Sequence, residues 1–360
     1  MSGIFGILGL DDTDRSFIST LGQAVVFDAT QKLLADYNAE LAWQLRAFVE
    51  METENYTERY KLPGGGYLQR RSGTAQSAAV KAYGSWDCSY PLEPFGAQVA
   101  GDTRTLAYMT IDEYNRHLQT VMIQDANTLR FEILRRLLDN VADTFVDPIW
   151  GSLTIQPLAN GDAVIYPPVI GSTTEAIEDH YLESGYASTS ITDTNNPYVT
   201  IRDDLEHHFG KVTGGQNIVC YINSAQRALT EDLTDFYDIP DAYVRPGQDT
   251  DVPYGYPDVP PTAQVYGRCS GVWVVGWNWI PANYIIGIHA DAPKPLKLRI
   301  DPAYTGLPRG LSLVSTDSTY PITQSHWEHN FGVGCGNRLN GVIMELGVGG
   351  TYSIPSGYSV

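Results

Sequence analysis

Thr110–Val146 reads TIDEYNRHLQTVMIQDANTLRFEILRRLLDNVADTFV, a run with no glycine and no proline that Asp147-Pro148 closes. Leu118, Met122, Leu129, Ile133, Leu137, Val141 and Phe145 recur at steps of three to four residues, or seven across one gap, which predicts one amphipathic helix over about 110–146. At about 1.5 Å per residue such a helix is roughly 50 Å long, against a usual length of about 11–12 residues. A beam of that length needs something lying along it.

Upstream, DATQKLLADYNAELAWQLRAFVEME (Asp28 to Glu52) carries Leu33, Leu34, Tyr37, Leu41, Leu45 and Phe48 at helical spacing, with Asp28 or Thr30 as cap. Between the two helices lies a different texture. YKLPGGGYLQRRSG (Tyr60 to Gly73) leads to a tip at SGTAQS (Ser72 to Ser77), and AAVKAY returns. Leu68 shares a face with Arg70, and Tyr67 shares the other with Gln69 and Arg71, so this extended stretch has no apolar face of its own. From Asn55 to Tyr83 the basic residues Arg59, Lys61, Arg70, Arg71 and Lys81 face a single acid, Glu58, whereas the whole chain carries 42 acidic and 23 basic residues, a net charge of -19. A cationic arm on an acidic protein predicts an acidic partner, and another copy of the chain supplies one.

Downstream the pattern is mixed α/β. AVIYPPVI (Ala163 to Ile170) and NIVCYI (Asn217 to Ile222) read as strands, YVTIRDDLEHHFG (Tyr198 to Gly210) and AQRALTEDLTDFY (Ala225 to Tyr237) as helices. GVWVVGWNW, YIIGIHA and PLKLRI read as three strands, and RLNGVIMELGVGGTYSIP as one or two more.

Composition narrows the function. The acidic balance argues against charge-driven nucleic-acid or anionic-membrane binding. The 23 tyrosines and 7 tryptophans suit surfaces that meet other surfaces. MSGIFGILGLDDTD has an apolar run but neither the basic region nor the long apolar core of a signal peptide, and no apolar run is long enough for a membrane span. Cys88, Cys220, Cys269 and Cys335 stand far apart and read as free buried thiols, and the Asn55-Tyr56-Thr57 sequon reads as chance.

Catalytic candidates stay below their plain alternatives. Gly64–Gly66 lacks the Gly-Lys-Ser/Thr and helix of a phosphate loop. His326-Trp327-Glu328-His329 offers two imidazoles without a third ligand and reads as structural or surface histidines; His207 and His208 fall on different helix faces. Asp249-Thr250-Asp251 reads as a solvated acidic loop and not a calcium site. Trp273, Trp277 and Trp279 alternate on one strand face, as a core or interface strand more readily than a sugar platform. No catalytic, cofactor or metal residue is assigned, no cofactor is expected, and the chain reads as architecture, not as an enzyme.

The order of these parts resembles the major capsid proteins of tailed bacteriophages, the Hong Kong 97 (Johnson) fold. The resemblance is carried by YLQRRSGTAQSAAVKAYGSWDCSYPLEPFG as extended loop, QDANTLRFEILRRLLDN as spine helix and the tail FGVGCGNRLNGVIMEL. It implies an α+β chain with an N-terminal arm and helix (1–53), an extended β-hairpin loop (54–100), a peripheral domain with the spine helix (101–195), an axial domain (196–320) and a C-terminal return to the peripheral domain (321–360). It also implies a virion protein, assembled in the host cytoplasm into hexamers and pentamers of an icosahedral shell around double-stranded DNA. That DNA would be enclosed without sequence-specific binding, with no membrane, and with separate scaffolding and portal proteins and an optional cement protein. Arg59, Lys61, Tyr67, Arg70, Arg71 and Lys81 would then touch a neighbouring copy, with Gly64, Gly65 and Gly66 as hinge. The alternatives are an encapsulin-type nanocompartment shell and, from another class, an acidic carbohydrate-binding or hydrolytic protein.

Overall fold

The computed structural model describes residues 18, 23–61, 68, 70, 73, 85–99, 108–159, 165–166, 176–177, 179–209, 217–238, 259–260, 262–314 and 325–359. In chain order, α1 (Gln23–Gln44) precedes β1 (Val49–Thr53), β2 (Thr57–Lys61), β3 (Ser85–Ser89) and β4 (Glu93–Val99). Then come α2 (Ile111–Leu138), β5 (Asp143–Asp147), β6 (Gly151–Ile155), β7 (Ile165–Tyr166), β8 (Ala176–Ile177), β9 (Tyr181–Glu183) and α3 (Pro197–Phe209). β10 (Ile218–Ile222), α4 (Arg227–Glu231), β11 (Phe236–Asp238), β12 (Gln264–Cys269), β13 (Val272–Gly276) and β14 (Tyr284–His289) follow. β15 (Leu296–Arg299), β16 (Ser312–Val314), β17 (Ser325–Cys335) and β18 (Val342–Glu345) complete the order.

The chain divides into two units, the first comprising residues 1–43, 92–131 and 300–332, the second 44–91, 132–299 and 333–360. In the first unit, antiparallel β4 and β16 flank β17, with Trp327 opposite Ala97 and Leu313, and His329 opposite Phe95. Leu34 of α1, Leu118 and Val121 of α2, Leu311 and Trp327 form its core. A second cluster joins Ile18, Val26, Met109 and Tyr114.

In the second unit a seven-stranded sheet runs β11-β12-β13-β10-β14-β18-β9, with β10–β13 and β9–β18 parallel and the other pairs antiparallel. Every residue of β10, β13 and β14 is buried, as strands covered on both faces require. On one face α3 packs Tyr198, Ile201 and Leu205 against Cys220, Ile222, Val274 and Ile285. Pro197 opens α3, and Asn196 Oδ1 accepts from Tyr198 N at 3.0 Å, a cap that explains where the helix starts. On the other face Phe48 stacks on Trp277 at 5.4 Å and on Tyr221 at 4.8 Å.

Several expected elements shift. The spine helix is α2, with Asp112 and Glu113 in its first turn and Arg135 and Arg136 in its last, each matching the helix dipole. It ends at Leu138 and not near Val146, because Asp139 Oδ1 takes the Val141 N–H at 2.8 Å and turns the chain into β5. The first helix runs from Gln23 to Gln44 and not from Asp28 to Glu52, since Val49–Thr53 pairs in parallel with β15 and sheet pairing overrides the helical spacing. The helix expected over 225–237 is confined to a 3-10 turn (Ser224–Gln226) and the five-residue α4, after which the chain turns into β11, and of 163–170 only Ile165–Tyr166 is described as strand. Trp273 and Trp277 are core side chains, Trp277 donating its indole N–H to Thr262 Oγ1 at 3.0 Å, and β13 ends at Gly276 before Trp277 and Trp279. All four cysteines are free and buried. Asp249–Asp251 lies outside the described residues.

Candidate functional site

The root of the predicted arm is an antiparallel pair in which Arg59 opposes Asp87, Tyr60 opposes Trp86 and Lys61 opposes Ser85. Two-residue alternation sorts its side chains. Glu58, Tyr60, Trp86 and Cys88 share one face, and Arg59, Lys61, Ser85 and Asp87 the other. The first face is packed, with Trp86, Cys88, Tyr90 and Tyr166 in one buried cluster against Tyr60 and Leu339. The arm therefore has an apolar face at its root, beyond the stretch where none was expected.

That face rests on the tail FGVGCGN. Trp86 donates its indole N–H to the Gly336 carbonyl at 3.3 Å, and the Cys88 thiol donates to the Cys335 carbonyl at 2.7 Å. A Cβ on Gly334 would stand 2.6 Å from the Tyr90 ring, and one on Gly336 would stand 2.6 Å from the Tyr60 hydroxyl. Glycine at these two positions lets aromatic rings lie directly on backbone. Tyr60 stacks on Trp86 at 5.7 Å, and Trp86 meets Tyr166 at 6.1 Å.

Glu58 is the polar hub. Its Oε2 accepts from Lys297 Nζ at 2.7 Å, Tyr90 OH at 3.1 Å and Tyr60 OH at 3.3 Å, and its Oε1 accepts from Asn55 Nδ2 at 2.9 Å. Burial alone would push the Glu58 carboxyl up, but the hydrogen bonds from Asn55 and Lys297 outweigh it and hold the group below its ordinary 4.5. Burial likewise opposes the charge on Lys297, and its bonds to Glu58 and Tyr60 carry it above 10.5. Burial pushes the Cys88 thiol up to about 12, which leaves it unreactive.

Beside this root, β5 and β6 form a hairpin whose turn holds Ile149 and Trp150. Asp147 Oδ1 accepts from both Ile149 N and Trp150 N, while Asp147 Oδ2 pairs with Arg299 at 3.1 Å with both side chains almost dry. Arg299 also donates to the Tyr90 carbonyl at 2.7 Å. Trp150 stacks on Tyr56, the residue before β2, at 4.1 Å. Val146, Ile149 and Trp150 nevertheless stay 70%, 72% and 50% exposed.

The expected contact residues separate. Arg59 is answered within the hairpin by a two-pronged bond to Asp87, and Lys61 stands exposed at the end of β2. Arg70 is exposed and Leu68 is 96% exposed. Tyr67, Arg71, Lys81 and the glycines Gly64, Gly65 and Gly66 lie outside the described residues. Sequence reading missed Glu58 as a hub, having counted it only as an opposing charge. It missed Lys297 and the Val146–Trp150 turn altogether.

The histidine pair divides as well. His329 is buried, with Nδ1 2.7 Å from Asp125 Oδ1 on α2, while His326 is half-buried. Among the described residues no group of three or more His, Cys, Asp or Glu side chains is placed to hold a metal ion, and no helix is long and apolar enough to cross a membrane.

This is the Hong Kong 97 capsid fold, an α+β architecture shared with a solved phage structure. That structure, from Mycobacterium phage Patience, matches with a TM-score of 0.69 at 18% identity, over 96% of this chain and 94% of its own. Two weaker likenesses, from which we draw nothing further, are the capsid of a native GTA particle (TM-score 0.47, 13% identity, 84% and 89% covered) and the mature capsid of bacteriophage PhiM1 (0.45, 9%, 84% and 86%). No protein-family model matches the chain, and no curated protein matches it.

Proposed function

We propose that the protein is a major capsid subunit of a tailed bacteriophage, which assembles with copies of itself into the hexamers and pentamers of an icosahedral shell around double-stranded DNA. The observation that carries this reading is the shared fold over nearly the whole of both chains with the phage Patience structure. The construction of the loop root supports it, because the buried cluster and the Glu58 hub hold an outgoing arm by its base and leave its far side exposed. The 54–100 loop is then the arm that clasps a neighbour, through Arg59, Lys61, Tyr67, Arg70, Arg71 and Lys81, and Gly64–Gly66 is its hinge. The peripheral and axial division at 101–195, 196–320 and 321–360 belongs to the same reading. So do separate scaffolding, portal and cement partners, a virion location, and a purely structural role without catalysis. A net charge of -19 suits a shell that holds DNA without gripping it.

Negative-stain microscopy and sedimentation of the purified protein test the proposal. Rings or closed shells are the expected outcome, and particles of only about 40 kDa under every buffer and salt condition would sink it.

A further inference from the structure

Side chains alternate along β14, so Ile285, Gly287 and His289 share one face. α3 covers that face. Ile285 packs in the cluster that holds Ile201 and Leu205, and a Cβ on Gly287 would stand 2.2 Å from the Ile201 side chain. His289 ends the strand on the same face, opposite Ile218 of the same cluster, and is only 3% exposed.

The strand end beneath the imidazole is pinned. Asn340, fully buried, accepts the His289 N–H at 2.9 Å and donates to the His289 carbonyl at 3.0 Å and the Pro293 carbonyl at 2.9 Å. The next residue, Ala290, donates its N–H to the Asn217 carbonyl at 2.7 Å. With the backbone held on both sides, the ring reaches water only if its cover lifts. The charges that act on it are Glu206 of α3 and, in the turn after β14, Asp291 and Lys294. Burial opposes a proton on the ring most strongly and Lys294 adds to it. Asp291 and Glu206 favour the proton, but burial prevails and holds His289 below its ordinary 6.5.

We propose that His289 is an acid-sensitive latch: uncharged, it seats α3 on β14, and on gaining a proton it draws in water and lifts α3 while Asn340 holds the strand. A group held below 6.5 when folded contributes stability that is complete above that value and is lost as pH falls towards the folded pKa. Within that window the opening equilibrium of α3 rises by up to about tenfold per pH unit.

The test is hydrogen exchange of the full chain, corrected for intrinsic rates and read over α3. In the wild type, opening should rise at least about threefold between about pH 6.5 and about pH 5.5. His289→Gln should abolish the rise. His207 and His208 lie in α3 and titrate in the same range, so the double variant His207→Gln with His208→Gln should keep it. No rise in wild type, a rise retained in His289→Gln, or a rise lost in the double variant would overturn the proposal. Should His289→Gln fail to fold, His289→Leu fills the site without a titrating group and replaces it. In either case an NMR titration of the wild type decides independently, since a His289 imidazole that protonates at 6.5 or above removes the latch. These readouts lie within one subunit, so the latch stands or falls apart from the proposed function.

Discussion

Replacing Glu58 with glutamine removes the carboxylate to which Lys297 bonds at the root of the loop, and leaves two tyrosine hydroxyls competing for one amide oxygen. The Glu58 and Lys297 side chains are 21% and 16% exposed, so the pair is mostly dry without being sealed. Breaking a fully buried pair from one side costs about 3–5 kcal/mol, and an exposed pair contributes about 0–1. For this partial burial we expect about 2 kcal/mol, expressed in the root and not throughout the chain. Glu58→Gln should lower the urea midpoint of the second unit. It should also open the 54–100 loop to protease at least tenfold faster, the kinetic equivalent of about 1.4 kcal/mol. Lys297→Met alone should weaken the root similarly, and the double variant should lose less than the two losses added together, because the orphaned partner is gone. The pH dependence has a defined sign. A carboxyl held below 4.5 when folded contributes stability that is complete above that value and is lost as pH falls through the folded pKa. A lysine held above 10.5 contributes stability that is complete below that value and is lost as pH rises past the folded pKa. Between roughly pH 5 and 10 the root should therefore respond to neither. Losses below about 0.5 kcal/mol that add without coupling would refute the hub.

Three further outcomes follow from the arm and its surroundings. Deleting Gly64–Tyr83 should leave a soluble subunit with the second unit's circular dichroism intact and abolish shells by microscopy; normal shells would remove the arm from assembly. Charge reversal at Arg70 and Arg71 should weaken assembly, measured by light scattering, more at 50 mM salt than at 500 mM, because exposed pairs are screened; equal loss at both would mean shape, not charge, decides. Gly336→Ala should destabilise the root by about 1–3 kcal/mol through overpacking against Tyr60, and a variant as stable as wild type would show that the ring can move aside.

The parts that sequence made legible are those that local chemistry settles. The spine helix is visible because nothing in its run can break it, and β10, β13 and β14 are visible because strands covered on both faces read as nearly unbroken apolar runs. Boundaries were lost where a distant partner decides. Phe48 and Val49 continue a helical stripe, yet Trp277 and Leu296 claim them for the second unit. The Asp87 partner of Arg59 was missed because it stands 28 residues away. Asp125 and His329 are 204 residues apart, and the one trace of their pairing in the sequence was the gap in the stripe.

The Val146–Trp150 turn shows why burial alone does not explain this surface. Arg299 and Asp147 are 4% and 3% exposed, and a dry ion pair is seldom worth more than the apolar residues that could replace it. What the pair does supply is position. With one oxygen Asp147 binds Arg299, with the other it fixes the Ile149 and Trp150 amides, and Arg299 reaches on to the Tyr90 carbonyl behind the loop root. Ile149 and Trp150 are thereby held in water in one orientation, a contiguous apolar surface tied to the base of the arm. An exposed apolar patch that is also rigid loses little entropy when covered, so it favours a specific contact over diffuse aggregation. Under the assembly reading that contact is with another copy. Ile149→Ser with Trp150→Ser should then leave the subunit folded and raise the concentration needed for shells by an order of magnitude or more, whereas shells forming at the wild-type concentration would leave the turn without a role in assembly.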